Sequence, residues 1–278
     1  MDEDGGVTRA RRGKRLPLRV LVKGASTVVY TSWMGGPRED LTYPRVLEAE
    51  LLNAGHAVEV QTTATPGGRL KRAFRTYQSD VIPWSPDVVV LHYGHADSIH
   101  LFLPRWLERH VNSMGRRPGR IRTTYRKVLL RPTWVTLAHL QKHLDRLLRG
   151  AGAERRARRF ARDLEGLIRH IRFISSPLVL VPNLHPMGPQ YHVWFPGIDR
   201  RMLALNAAVA GMIDRLGIPD VRVVDVRSLA EPILAVPSDG PTDDSHFTPA
   251  LHRVVGRELA KVVAAWAVEQ TYLDLPLQ

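Results

Sequence analysis

The sequence predicts an α/β fold, a three-layer α/β/α arrangement in which a mostly parallel sheet is covered by helices on both faces. Three observations carry that expectation. Short apolar runs rich in β-branched residues alternate with segments of helical periodicity along the chain. One run, Pro86-Asp87-Val88-Val89-Val90-Leu91, is almost uninterrupted, as suits a strand buried on both faces. The length, 278 residues of which 44% are hydrophobic, is enough for one substantial core.

The elements follow in order. Residues 18–23 read as a first strand that ends in the turn Gly24-Ala25-Ser26-Thr27. Residues 43–54 carry Val46, Leu47 and Leu51 at helical spacing, with Gly55 as a stop. A short strand at 57–60 leads to a polar, glycine-bearing loop at 61–68 and a helix from 69 to about 78. The third strand, 86–91, runs into the loop His92-Tyr93-Gly94-His95-Ala96-Asp97. Helical patterns then occupy 101–113, 133–148 and 154–171. A strand returns at 177–182, followed by a loop at 183–197 rich in Pro, Gly, His and aromatic residues, of the kind that lines binding sites. A helix at 198–216, a strand at 221–226, an irregular stretch to 243 and a closing helix from about 249 to 269 complete the chain. Parallel strands joined by crossovers gather their C-terminal loops on one sheet edge, where the active site is expected. The expected organisation is a flexible basic tail at 1–17 and a single domain at 18–272, with a basic helical insertion at about 100–175.

Composition narrows the function classes. The chain has no cysteine, which excludes a disulfide framework, a thiolate nucleophile and a cysteine-ligated metal. The N-terminus lacks the apolar run of a secretory signal, and no window reaches the ~18 apolar residues of a membrane span. A cytoplasmic protein with no membrane partner is expected. The net charge of +13 is concentrated: between residues 100 and 175, nineteen Lys and Arg face five acids, and the rest of the chain sums to −1. Such a localised field points to an anionic contact, with Arg155, Arg156, Arg158 and Arg159 as its centre, since arginine suits bidentate phosphate recognition. His139 and His143 stand four apart on an expected helix but have no evident third ligand, so no metal site is expected. Trp33, Trp106, Trp134 and Trp194 are expected to pack in the interior.

The chemistry lies at the two ends of the domain. In Asp243-Asp244-Ser245-His246-Phe247-Thr248-Pro249 an acid precedes a histidine by three residues on a turn. That spacing lets a carboxylate hold one imidazole nitrogen while the other deprotonates a serine brought from elsewhere. Ser26, at a strand's C-terminal end, is the candidate serine. In block order these segments resemble the SGNH (GDSL-type) hydrolases, over about residues 18–265 apart from the basic insertion. Gly24-Ala25-Ser26 stands where that family has Gly-Asp-Ser, Gly94-His95-Ala96-Asp97 where it has Gly-x-Asn-Asp, and Asp243 to His246 where it has Asp-x-x-His.

The resemblance implies Ser26 as nucleophile, His246 as general base and then acid, and Asp243 as the group that orients it. It also implies an oxyanion hole made of the Ser26 N–H, a glycine N–H from Gly67 or Gly68, and an Asn side chain. Ala96 occupies the Asn position and cannot donate, which leaves three readings: a neighbour such as His95, His92 or Asn183 supplies the donor, the reaction is slow or altered, or the protein is no longer a catalyst, the first being preferred. His92, Gly94 and Asn183 are the further substrate-binding candidates, and Asp97 is expected to brace its loop. The function expected is a serine acyl hydrolase on an ester or thioester of an acylated sugar or natural-product intermediate, needing no cofactor. Two alternatives remain open. One is an acyltransferase whose anionic donor, acyl-CoA, an acyl carrier protein or an aminoacyl-tRNA, docks on the basic insertion. The other is a non-catalytic protein of the same fold that binds a polyanion.

Overall fold

The computed structural model describes residues 16–29, 42–99, 107, 110, 119–148, 150–234 and 246–270. Five strands form one parallel sheet: β1 (Leu18–Gly24), β2 (Val58–Ala64), β3 (Val88–His92), β4 (Leu178–Pro182) and β5 (Val221–Val224), in the order β2-β1-β3-β4-β5. Each was expected, with ends shifted by a few residues. The β1/β3 register pairs Gly24 with His92, and the β1/β2 register pairs Gly24 with Ala64, so three loops leave the same sheet edge side by side.

Helices cover both faces. On one lie α1 (Tyr43–Asn53), α9 (Val226–Leu234) and α10 (Pro249–Val268), which bury Leu47, Leu51, Val255, Leu259 and Val263 against Val20, Val22, Val88 and Val90. On the other lie α2 (Leu70–Val81), α6 (Ala153–Ser175) and α8 (Ile198–Leu216), which enclose Leu21, Val89, Leu91 and Val179. Alternate side chains of each strand thus feed opposite cores, as the pleat requires.

Four further helices decorate this frame: α3 (His95–Ile99), α4 (Arg120–Tyr125), α5 (Arg131–Leu148, entered through a π-helical turn at Arg126–Leu130) and α7 (Pro189–Trp194). The apolar stripe of α6, from Ala157 through Phe160, Leu164, Leu167 and Ile171, packs on the sheet, so the last part of the basic segment is the crossover from β3 to β4 and a layer of the fold. Helix α5 is held differently. Its buried residues are Gln141 and Asp145. Asp145 accepts the Gly197 N–H at 2.9 Å and pairs with buried Arg201, whose Nε donates to the Ser98 carbonyl at 2.8 Å. One ion pair thereby joins α5, α8 and α3.

Two stretches are more regular than expected. Helix α9 fills part of the segment read as irregular, and α7 interrupts the long loop after β4. Trp194 is 39% exposed rather than interior; its ring stands 5.3 Å from that of His139, and the Lys142 ammonium lies 5.7 Å from its centre. Most of the helix expected at 101–113, the tail at 1–15, and Trp33 and Trp106 fall outside the described residues. No helix among the described residues is long and apolar enough to cross a membrane.

Candidate active site

Ser26 opens a single 3-10 turn, Ser26–Val28, directly after β1. The Ala25 N–H donates to the His92 carbonyl at 3.3 Å, which fastens this turn to the end of β3. The Ser26 side chain is half-buried, and its N–H makes no bond among the described residues. Across the edge, the Thr65 N–H donates to the Gly24 carbonyl at 3.1 Å, bringing the loop after β2 alongside. Within that loop the Gly68 N–H is committed to the Thr65 carbonyl at 2.8 Å, whereas Gly67 is exposed, has φ +64°, and makes no such bond among the described residues.

The C-terminal segment arrives on top of His92. Thr248 caps α10, its Oγ1 accepting the Leu251 N–H at 3.1 Å, and Pro249 sits at the first helical turn, where it costs no backbone bond. The cap fixes how the preceding residues leave the helix. Phe247 is wholly buried, with its ring 5.7 Å from that of His92, 4.8 Å from His185 and 5.2 Å from His252. His246, its neighbour, is half-buried, and its charge is felt by both His95 and His252, whose pKa values it helps to lower. Ser26 and His246 therefore approach one sheet edge through the same residue, His92. Asp243, Asp244 and Ser245 lie outside the described residues.

Around Phe247 the structure assembles a cluster that periodicity alone does not foretell. His92 is completely buried, so it floors the site rather than facing substrate; its Nδ1 lies 3.2 Å from the Tyr43 hydroxyl. Burial holds the His92 imidazole down at about 4 and pushes the Tyr43 phenol up, so both are neutral near pH 7. A protonated phenol donating to Nδ1 leaves the imidazole hydrogen on Nε2, which has no partner among the described residues. His252 accepts the Tyr43 N–H on Nδ1 at 3.0 Å, and burial, with smaller contributions from His92 and His246, holds it down at about 3. His95, at the start of α3, places Nε2 2.9 Å from His185 Nδ1, while its own Nδ1 is buried with no partner among the described residues. Burial, then His185, His92 and His246, keep His95 well below the usual imidazole value.

The remaining candidates separate. Gly94 has φ +126°, a left-handed value that favours glycine, and its carbonyl accepts the Ser98 N–H at 2.9 Å, which turns β3 into α3. Ala96 is buried on α3. Asp97 Oδ2 accepts the Leu70 N–H at 3.3 Å, bracing α3 against the start of α2. Asn183 is spent elsewhere: Nδ2 donates to Asp225 at 2.7 Å and Oδ1 accepts the Arg227 N–H at 2.8 Å, which ties the ends of β4 and β5 together. Burial works to raise the Asp225 carboxyl, but hydrogen bonds from Ser228 and Asn183 outweigh it and hold the group below its ordinary value. Arg155, Arg156, Arg158 and Arg159 lie on the outer turns of α6 and are exposed there. Among the described residues no cluster of three or more His, Asp or Glu could hold a metal ion.

Comparison with known proteins bears on the fold and the family of the chain. No curated protein matches the sequence. Solved structures with the same fold include a lipase/acylhydrolase from Enterococcus faecalis, at 13% identity and a TM-score of 0.55 over 90% of this chain and 96% of that one. An aryl esterase from M. smegmatis matches at 18% identity and a TM-score of 0.53, over 89% of this chain and 99% of that one. An acetylxylan esterase from Geobacillus stearothermophilus matches at 13% identity and a TM-score of 0.55, over 89% and 95%. These likenesses bear on the fold. Family membership rests on the sequence itself, which matches the GDSL-like lipase/acylhydrolase family across residues 24–254, from the turn that presents Ser26 to the first turns of α10. The chain belongs to that family.

Proposed function

We propose that the protein is a serine ester hydrolase in which Ser26 attacks the acyl carbonyl, His246 takes and returns the proton, and Asp243 orients His246. The observation that carries this reading is the convergence at His92 of the turn bearing Ser26 and the segment bearing His246. The nearby histidines support a division of labour. His92 and His252 are held neutral far below pH 7, so they supply shape and hydrogen bonds and compete poorly for the proton in transit. His246 would pass the Ser26 proton to the leaving alcohol as the acyl-enzyme forms; it would then take a proton from the water that attacks the acyl carbon and return it to Ser26 as the acid departs.

For the oxyanion, the free Ser26 N–H and the uncommitted Gly67 N–H are the backbone donors of choice, Gly68 being engaged with Thr65. With Ala96 unable to donate and Asn183 bound to Asp225, the third donor assigned here is His95, through its buried, unpartnered Nδ1. Small acyl esters of sugars are the substrate class nearest to the esterase relatives.

Turnover of p-nitrophenyl acetate tests the reading. Ser26→Ala should remove the burst and lower kcat by at least ~10³-fold, and equal release by wild type and variant would refute the triad. His95→Ala should lower kcat by about 10²–10³ with little change in KM, and Ala96→Asn should restore part of the loss. An unchanged kcat in His95→Ala would remove that residue from the oxyanion hole.

A further inference from the structure

The layer of α2, α6 and α8 carries a feature that ester hydrolysis does not use. Helices α6 and α8 run side by side in the same direction, as successive crossovers into β4 and β5, and their first turns are tied by the Glu154–Arg200 ion pair at 2.9 Å. Beyond that tie they part into an open groove of about 750 Å³. Its floor is small: Ala161 from α6, and Ala207, Ala208 and Gly211 from α8. Its walls carry Arg155, Arg158, Arg159 and Arg162 from α6 and Arg215 from α8. The one acid in the lining, Glu165, is engaged by Arg169 at 2.8 Å.

Three physical arguments point to a ligand. The four α6 arginines form like-charge pairs at i,i+3 and i,i+4, an arrangement that works against the helix unless an anion lies between them. None of the four makes a direct ion pair within the described residues; Arg158 alone is felt by an acid, Glu154, which is itself bonded to Arg200. The positive side chains recur at about one helical turn, roughly 5 Å, along the groove, which matches a chain of phosphates better than a single one. The floor of alanine and glycine lets such a chain lie close, and the lining holds no aromatic ring on which bases could stack.

We propose that the groove between α6 and α8 binds the sugar-phosphate backbone of a single-stranded nucleic acid, without base recognition. The proposal is independent of the triad, because its readout is binding and not turnover.

The test is fluorescence anisotropy of the full chain with labelled 15-nucleotide RNA and DNA of mixed and homopolymeric sequence, as a function of salt. With four or five phosphates neutralised, log K should fall with log salt at a slope of about −3, and the sequences should bind alike. The double variant Arg155→Glu/Arg159→Glu should weaken binding at least tenfold and flatten the slope. A control of equal charge change on the opposite layer, Arg253→Glu/Lys261→Glu, should leave binding nearly intact, with circular dichroism verifying both folds. Equal weakening by the two doubles would overturn the groove in favour of diffuse charge. Displacement of the oligonucleotide by micromolar inorganic triphosphate or CoA would overturn the chain-like ligand in favour of a small phosphate compound. A strong preference for one sequence would overturn recognition through the backbone alone.

Discussion

The two helical layers share one sheet but solve different problems. Helices α1 and α10 close tightly: a Cβ on Gly256 would sit 2.6 Å from Val46 Cβ and 2.9 Å from the Tyr43 carbonyl, so the backbones touch where glycine alone fits. That contact carries Tyr43 to His92 and His252 and so forms the floor under Phe247. Helices α6 and α8 also pack extensively along their inner stripes, but their outer faces open into a trough lined by arginine. The first layer brings backbones together where it positions the histidines, whereas the second combines a full apolar core with an outer opening that holds charge.

The contrast can be broken first at Phe247. Its replacement by Ala removes a fully buried ring from the midst of three imidazoles and Tyr43, and should cost about 3–5 kcal/mol in urea unfolding as well as misplacing His246. Mild acid is the next lever. His92 titrates near 4 in the folded chain against about 6.5 when unfolded, so the unfolded state takes up the proton more readily. Its contribution is present above pH 6.5 and lost as pH falls to about 4, roughly 3 kcal/mol from this group, with His252 shifted in the same sense. Thermal unfolding between pH 7 and 4 should show the loss, and His92→Asn should flatten it; an unaltered pH dependence in that variant would mean His92 is solvated. Gly256→Val should force α1 and α10 apart at a cost of about 1–3 kcal/mol or more. The smallest effect has the opposite sign. Arg159→Gln relieves repulsion from Arg155 and Arg162 and should raise stability by a few tenths of a kcal/mol at low salt, an increment that vanishes as salt is added.

The sheet was legible because strands buried on both faces announce themselves: Val88 to Leu91 and Leu178 to Val181 have few other stable uses. The site edge followed from topology, since β1 must deliver Ser26 where β3 delivers His92. Other parts were illegible for physical reasons. Pro232 inside the short α9 disguised a helix that tertiary packing supports. In α6 the density of arginine masked the stripe of Ala157, Phe160, Leu164 and Ile171, so a structural crossover resembled an insertion. Tyr43, His185 and His252 belong to three distant segments and become a cluster only through packing around Phe247; of these, His185 alone lay in a loop read as site-lining.

The seat of α5 has a consequence for how such a protein could diversify. A helix attached by apolar surface must keep a whole stripe of its sequence, but the seat of α5 centres on one carboxylate gripping Arg201 and the Gly197 amide, with buried Gln141 beside it and His139 and Lys142 against Trp194. Residues away from these few contacts are therefore free to drift, to be recharged or to acquire a new partner while the helix keeps its orientation. A graft that keeps them could swap the rest of the arm without reworking the hydrolase body beneath it.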